Sequence, residues 1–480
     1  MEETGGVNRR MIDSGNMARM TRRDDNEEES TTRPTRRILF VFEKFPPFTV
    51  SGSWRPFFFA KHLPAFGYLP DVISATPEAG DATDDSLLDQ LDSRCRMKRR
   101  RLWVTTFRQW LSRLRPGGSR PRTAPTAPPK DAGAGTARPA GGDIRETRRF
   151  RIYWAIVWRL YWYVDWCAPV LLTGALMAMR RRYELVWVSG PHSRNMFAGY
   201  WLSRLLRKPL VLDIRDPWTY GSLWAPATRD VDHAERKWAR RILRRAARIV
   251  FTSPLTMEEM QRRFPEVAPD RMCVITNGYS ADTVVPIRET PADVCLFRYV
   301  GSLNERRRPD IILQGLRLAR ERNAELARDV RFEFIGGMAG HEAGIAEFDL
   351  EAVVTNVGRV THEDSLRMIH GADVNVLLQT ISEGQDVVSG KAFEYLAARK
   401  PILAVVSETG GDAWLVREAR AGIVTPFDDA ESVARAIESC WQSWKSGAGE
   451  LTMSDERLEK FSRRHLTRDL ARVLDDVVSN

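Results

Sequence analysis

From residue 37 onward, short continuous apolar runs alternate with stretches in which apolar side chains recur every three or four positions. Arg37-Ile38-Leu39-Phe40-Val41-Phe42 has the unbroken apolar character of a central parallel strand. After a loop holding Pro46, Pro47 and Gly52, a helix is predicted over 54–63, and a second strand over 70–74. The alternation resumes with strand 185–189 and the turn Gly190-Pro191-His192-Ser193. A helix over 194–206, strand 209–213, a helix over 231–247 and strand 248–252 follow. Asn277-Gly278 marks a turn at the end of this half, and the polar run to about 293 reads as a connection. A second series opens with a strand ending in Val300-Gly301-Ser302. Strands are predicted over 330–335, 353–355, 372–378, 402–406 and 422–424, with closing helices over 430–444 and 464–477. Strand and helix in regular turn predict an α/β protein with two successive Rossmann-like units.

Two stretches lack this rhythm. Residues 1–36 are polar, charged and poor in large apolar side chains, the composition of a disordered tail. From about 94 to 147 the first unit is interrupted. The basic run Lys98-Arg99-Arg100-Arg101 leads into Leu102, Trp103, Phe107, Trp110, Leu111 and Leu114 at helical spacing, and Pro, Ala and Gly dominate thereafter. A basic stripe carrying Trp and Phe suits either the headgroup region of an anionic membrane or packing on its own domain. The boundaries expected are therefore a first domain over 37–285 with an insertion at about 94–147, a second over 286–455, and a C-terminal helix over 456–480.

Charge sharpens the picture. The 480 residues carry a net charge of +10, yet eleven Lys and Arg and no acid fall between Arg94 and Arg122. One basic segment with one anionic partner is implied, and general nucleic-acid coating is excluded. The five cysteines form neither a CxxC nor a Cys/His pair, so no disulfide framework or zinc site is indicated and a reducing cytoplasm fits. No run reaches the ~18 apolar residues needed to span a bilayer.

Candidate chemistry collects at the ends of strands. Ser389-Gly390-Lys391 opens a short helix, whose unpaired N–H groups and positive dipole end suit a phosphate. Lys391 adds a full charge there, and Glu394, one turn on, can accept hydrogen bonds from sugar hydroxyls. About ninety positions upstream, Gly301 ends a strand before Arg306-Arg307-Arg308, an arrangement that suits a diphosphate. In the first half, Arg215-Asp216 stands at a strand's carboxyl end, where open α/β sheets place ligands, so Asp216 is either a catalytic candidate or half of a local ion pair. Gly52 would permit close backbone approach, or serve turn geometry alone.

These features resemble the GT-B architecture of two Rossmann-like domains facing a cleft, and specifically the retaining glycosyltransferases of family 4. Val300-Gly301-Ser302-Leu303 followed by Arg307 is similar to that family's Val-Gly-Arg-Leu and Lys-Gly, with Ser302 and Arg307 as departures. The helix from Lys391 to Pro401, the Asn277-Gly278 turn and Ala372-Asp373-Val374 also fit. Asp213 to Trp218 looks like the Asp-x-Arg-Asp-Pro-Trp segment of a bacterial subgroup that builds cell-surface polysaccharides. The resemblance implies that Glu394 holds the nucleotide ribose and that Arg307 and Lys391 hold the diphosphate, with Gly301, Arg306, Ser389 and Gly390 as further donor-binding candidates. It leaves Asp386 and Glu383 as alternatives for the acid that touches the donor sugar, and Asp216 on the acceptor side. It further implies transfer from a nucleotide-diphosphate sugar to a glycan or lipid-linked acceptor, without metal or further cofactor. The expected place is the cytoplasm or the inner face of the plasma membrane. A nucleotide-binding scaffold without catalysis and a GT-B epimerase are the competing readings.

Overall fold

The computed structural model describes residues 35–102, 165–190, 193–220, 229–280, 293–304, 307–338, 340–379, 386–447 and 453–479. Seven parallel strands form the first sheet: β1 (Arg36–Val41), β2 (Tyr68–Ala75), β3 (Met97–Arg100), β4 (Val186–Gly190), β5 (Leu210–Ile214), β6 (Arg248–Phe251) and β7 (Met272–Val274), in the order β3-β2-β1-β4-β5-β6-β7. The second sheet has six: β8 (Cys295–Val300), β9 (Val330–Ile335), β10 (Val354–Gly358), β11 (Val374–Leu378), β12 (Ile402–Val405) and β13 (Gly422–Thr425), ordered β10-β9-β8-β11-β12-β13. Central strands such as β1, β5 and β12 are buried on both faces, which is why they read as continuous apolar runs.

Helices cover both sheets. The longer ones are α1 (Trp54–His62), α2 (Ala168–Arg180), α3 (Ser193–Leu206), α4 (Arg229–Arg245), α5 (Pro254–Arg263), α6 (Asp310–Arg322), α7 (His362–His370), α8 (Gly390–Ala397), α9 (Gly411–Ala419), α10 (Ala430–Ser446) and α11 (Arg463–Ser479). No helix among the described residues is long and apolar enough to cross a membrane.

The last helix returns to the first sheet. Leu466, Leu470, Leu474 and Val477 of α11 pack with Ile38, Phe40, Phe57 and Val72. Where the chain crosses between the sheets, the two crossings are tied: Tyr279 N–H donates to the Phe461 carbonyl at 3.1 Å, and Arg463 N–H donates to the Tyr279 carbonyl at 2.9 Å. Gly278 permits this, because a Cβ there would overlap the Phe461 carbonyl oxygen.

One expectation changes. Part of the basic run at 98–101 is ordered strand, not the lead-in to an insertion: Met97 to Arg100 pair in register with Val72 to Ala75. Lys and Arg on an edge strand discourage pairing with other chains, and in the sequence they look like a solvated charge run. The aromatic and basic stretch beyond it, 103–164, lies outside the described residues.

Candidate active site

Two hydrogen bonds, one buried and one partly buried, fix α8 at the carboxyl end of the second sheet. The backbone N–H of Ser389, its N-cap, donates to the Asp412 carboxylate at 2.8 Å. Burial pushes the Asp412 carboxyl up to about 6, against the pull of Ser389 and the Arg307 charge. At the helix's other turn, the wholly buried Tyr395 hydroxyl accepts from Val300 N–H at 3.1 Å, locking α8 to the end of β8. Ala392, Phe393, Tyr395 and Leu396 face the core. Lys391 and Glu394, one turn apart, share the half-buried outer face.

Glycines shape the floor. Gly301 ends β8 with φ +151°, and a Cβ there would overlap the Lys391 ammonium, which also lies 5.6 Å from the Tyr299 ring centre. A Cβ on Gly336 (φ +123°) would sit 2.7 Å from the Gly301 carbonyl, so the backbones leaving β8 and β9 nearly touch. At Gly390 the space is open: a Cβ would meet nothing within 4 Å, and the first N–H groups of α8 have no intrahelical partner.

The charges here are poorly hydrated and mutually dependent. Burial, then the proximity of Arg307, lowers the Lys391 pKa to about 8, with Glu394 opposing. Burial raises Glu394, against His362, Lys391 and Arg463. Burial lowers Arg463 to about 10, with Glu394 opposing. Two cations crowded into a half-buried site beside an open helix N-terminus are complementary to an anion, and perturbed groups of this kind gather at functional sites.

The family model described as Glycosyltransferase Family 4 matches residues 128–283, and that described as Glycosyl transferases group 1 matches 295–443. The chain is a family 4-like glycosyltransferase of GT-B architecture. No curated protein matches this glycosyltransferase. Among solved structures it is similar to Anabaena HepE in complex with UDP, at TM-score 0.58 and 14% identity, covering 92% of this chain and 100% of that one. Sucrose-phosphate synthase from Thermosynechococcus elongatus matches at TM-score 0.55 and 16% identity, over 92% and 99% of the two chains. The lipopolysaccharide outer core galactosyltransferase WaaB matches at 0.53 and 13%, over 92% and 99%. At these identities the likeness is one of fold.

In the glycosyltransferase, the residues expected at the site fall into two groups. Gly301, Arg307, Ser389, Gly390, Lys391 and Glu394 come together as described. Asp386, Gly52 and Asp216 have other partners. Asp386 faces the first half: its carbonyl accepts from the Thr256 hydroxyl at 3.1 Å, and its carboxyl is raised by burial and Glu259, with Tyr220 and Arg263 opposing. Gly52 is committed to Arg215, whose guanidinium donates to the Gly52 carbonyl, and at 2.9 Å to that of Gly190. Asp216 stands half-buried beside Arg215, its charge opposing the drop in pKa that burial imposes on that arginine. Arg306, Glu383 and His192 lie outside the described residues.

Sequence reasoning missed Arg463, the first residue of α11. Its guanidinium donates to the Gly278 carbonyl at 3.1 Å, lies 3.5 Å from the Phe58 ring centre, and acts on Glu394. It missed Asp412, and also Arg55, whose Nε and Nη2 donate to Asp213 at 2.8–3.1 Å, and whose Nη2 and Nη1 donate to the Ile275 and Thr276 carbonyls at 2.8 and 2.6 Å. With the Ser189 hydroxyl also donating at 2.6 Å, Asp213 is a buried strut. The signals that could have found these residues, a carboxylate past the next strand and an arginine opening the last helix, carry no local spacing.

Proposed function

We propose that this glycosyltransferase moves a sugar, with retention at the anomeric carbon, from a nucleoside-diphosphate donor to a cell-envelope glycan acceptor that is lipid-linked. The observation that carries the donor site is the Lys391 ammonium held beside Arg307 over the Gly301 backbone, with Glu394 one turn further along α8. The diphosphate sits across Lys391, Arg307 and the mouth of α8, and Glu394 accepts from the ribose hydroxyls. As the bond between the anomeric carbon and the diphosphate oxygen breaks, negative charge builds on the departing diphosphate, and the acceptor hydroxyl oxygen bonds to that carbon as its proton passes to the departing diphosphate oxygen. Cations already in place stabilise that charge without reorganising, and removing one such group typically costs on the order of a hundredfold in rate. No cofactor beyond the donor is proposed. HepE, solved with UDP and with UDP-glucose, and WaaB, a lipopolysaccharide outer core galactosyltransferase, support the donor and acceptor classes. Asp216 and the strand ends around it face the acceptor, and the enzyme works at the inner membrane surface.

A thermal-shift screen of nucleotide sugars tests the reading, repeated on Glu394→Ala and Arg307→Ala. One donor is expected to stabilise the wild type and neither variant. Turnover of that donor with a lipid-linked acceptor, followed by NMR of the product's anomeric proton, reads retention. Stabilisation that both variants keep would sink the donor site, and tight binding without turnover across a donor and acceptor panel would replace the enzyme with a scaffold.

A further inference from the structure

The connections entering the amino ends of β5, β6 and β7 carry Arg207 and Lys208, then Arg244, Arg245 and Arg248, and finally Arg271. These six cations line an open pocket of about 600 Å³, which Pro209 and Val477 border as well. It lies at the opposite end of the first sheet from Asp216. Pro209 and Asp216 bracket β5, a separation of roughly 20 Å at ~3.3 Å per residue.

Basic residues at helix C-termini are ordinary, because they complement the dipole and the last carbonyls. That accounts for Arg244 and Arg245 at the end of α4, and for the pair following α3. It does not account for Arg248, which begins β6, or for Arg271, which ends the 3-10 turn Pro269–Arg271. Three of the five guanidiniums are tethered to backbone carbonyls. Arg271 donates to the Arg244 carbonyl at 3.3 Å, Arg248 to that of Ala247 at 3.3 Å, and Arg245, at a longer 3.5 Å, to that of Lys208. Each such bond uses one of five N–H donors. Among the described residues, the carboxylates paired with these cations are Glu184, 3.9 Å from Lys208, and Asp476, 3.8 Å from Arg248. Six positive groups thus meet two carboxylates, both at the outer edge of ion-pair distance. Such a concave site is self-repelling until an anion of high charge density fills it.

We propose that this pocket binds a phosphate-bearing ligand, presented by a soluble phosphate compound or by a phospholipid headgroup. It is a second anion site, separate from the cleft, and does not depend on the donor site proposed above. Planar guanidiniums meet phosphate oxygens in pairs, so occupancy joins the three connections through a single anion.

Hydrogen–deuterium exchange on the full chain, with inorganic pyrophosphate as the probe, reads occupancy region by region. Protection is expected over 205–211, 243–250 and 269–273. In parallel, the full chain is floated with vesicles of phosphatidylcholine alone and of phosphatidylcholine mixed with phosphatidylglycerol. The exposed-site variants Arg207→Gln/Arg244→Gln and Arg271→Gln are expected to weaken the response about tenfold or more, whereas Arg307→Ala leaves it unchanged. Protection by pyrophosphate over 205–211, 243–250 and 269–273 supports a soluble ligand. Vesicle binding that needs phosphatidylglycerol and is lost in the variants, without pyrophosphate protection, supports a headgroup. Protection confined to 301–307 and 389–395 with no vesicle binding overturns the proposal and leaves the cleft reading intact. So do responses unaltered in variants whose Tm matches the wild type.

Discussion

Replacing Lys391 with methionine separates two demands that meet at one position. Burial, and secondarily Arg307, lowers the lysine from 10.5 to about 8. That corresponds to about 3 kcal/mol at 1.36 kcal/mol per unit, an upper bound because the side chain keeps some contact with water. The folded state binds this proton less tightly than the unfolded state. Wild-type stability is therefore held down at pH 7 and rises as pH climbs from about 8 toward 10.5. Lys391→Met removes that burden but takes one positive neighbour from Glu394, so a net gain of about 1 kcal/mol is expected at pH 7. The gain shrinks above pH 8. Diphosphate affinity moves the other way: on the order of a hundredfold weaker in the variant, and weakening in the wild type as the ammonium loses its proton above pH 8. Urea unfolding between pH 7 and 10, with calorimetric titration of UDP, reads both. A variant less stable than wild type at pH 7 that still binds UDP as tightly would refute the reading of Lys391 as a diphosphate ligand held in a half-buried site.

Gly301→Ala places a methyl group on the Lys391 ammonium at a backbone angle that alanine rarely adopts. Transfer is expected to fall at least about tenfold, with a stability loss of about 1–3 kcal/mol by denaturant titration. Asp412 titrates in the folded state near 6 instead of 3.8, so its contribution favours folding below pH 3.8 and is lost as pH rises through 6. Asp412→Asn keeps an acceptor for Ser389 N–H and is expected to flatten the stability profile between pH 4 and 6, measured by urea midpoints. Arg463→Met removes the bond to the Gly278 carbonyl and a counter-charge of Glu394. UDP affinity is expected to change by about tenfold and the pH dependence of binding to shift with Glu394, whereas a merely structural loss would lower Tm and leave the pH profile in place.

What the chain shows in one dimension is what local periodicity encodes. Strands such as β1 and β12 are apolar throughout because both faces are covered. Lys391 and Glu394 share a helix face because three residues make nearly one turn, so their pairing needs no tertiary information. β3 was hidden because its charges do for an edge strand what they do for a solvated loop. Asp386 stands eight positions before Glu394, but in the fold it faces Thr256 and Tyr220 of the first half. Arg463 and Asp412 reach the site from later elements, across 69 and 18 residues respectively from Glu394. Only packing brings them in.

The return of α11 explains why a residue from the end of the chain belongs to this site. A parallel sheet leaves its loops at the carboxyl end, where ligands bind. The second half ends beyond that edge and must cross back to bury the apolar face of α11 against β1 and α1. The crossing is held by backbone hydrogen bonds between Tyr279 and both Phe461 and Arg463, at a spacing that only a glycine at 278 allows. Arg463, at this junction, donates to the Gly278 carbonyl, lies over the Phe58 ring and feels the charge of Glu394. Arg463 thus stands at the joint between the sheets, and its charge and that of Glu394 each oppose the effect of burial on the other.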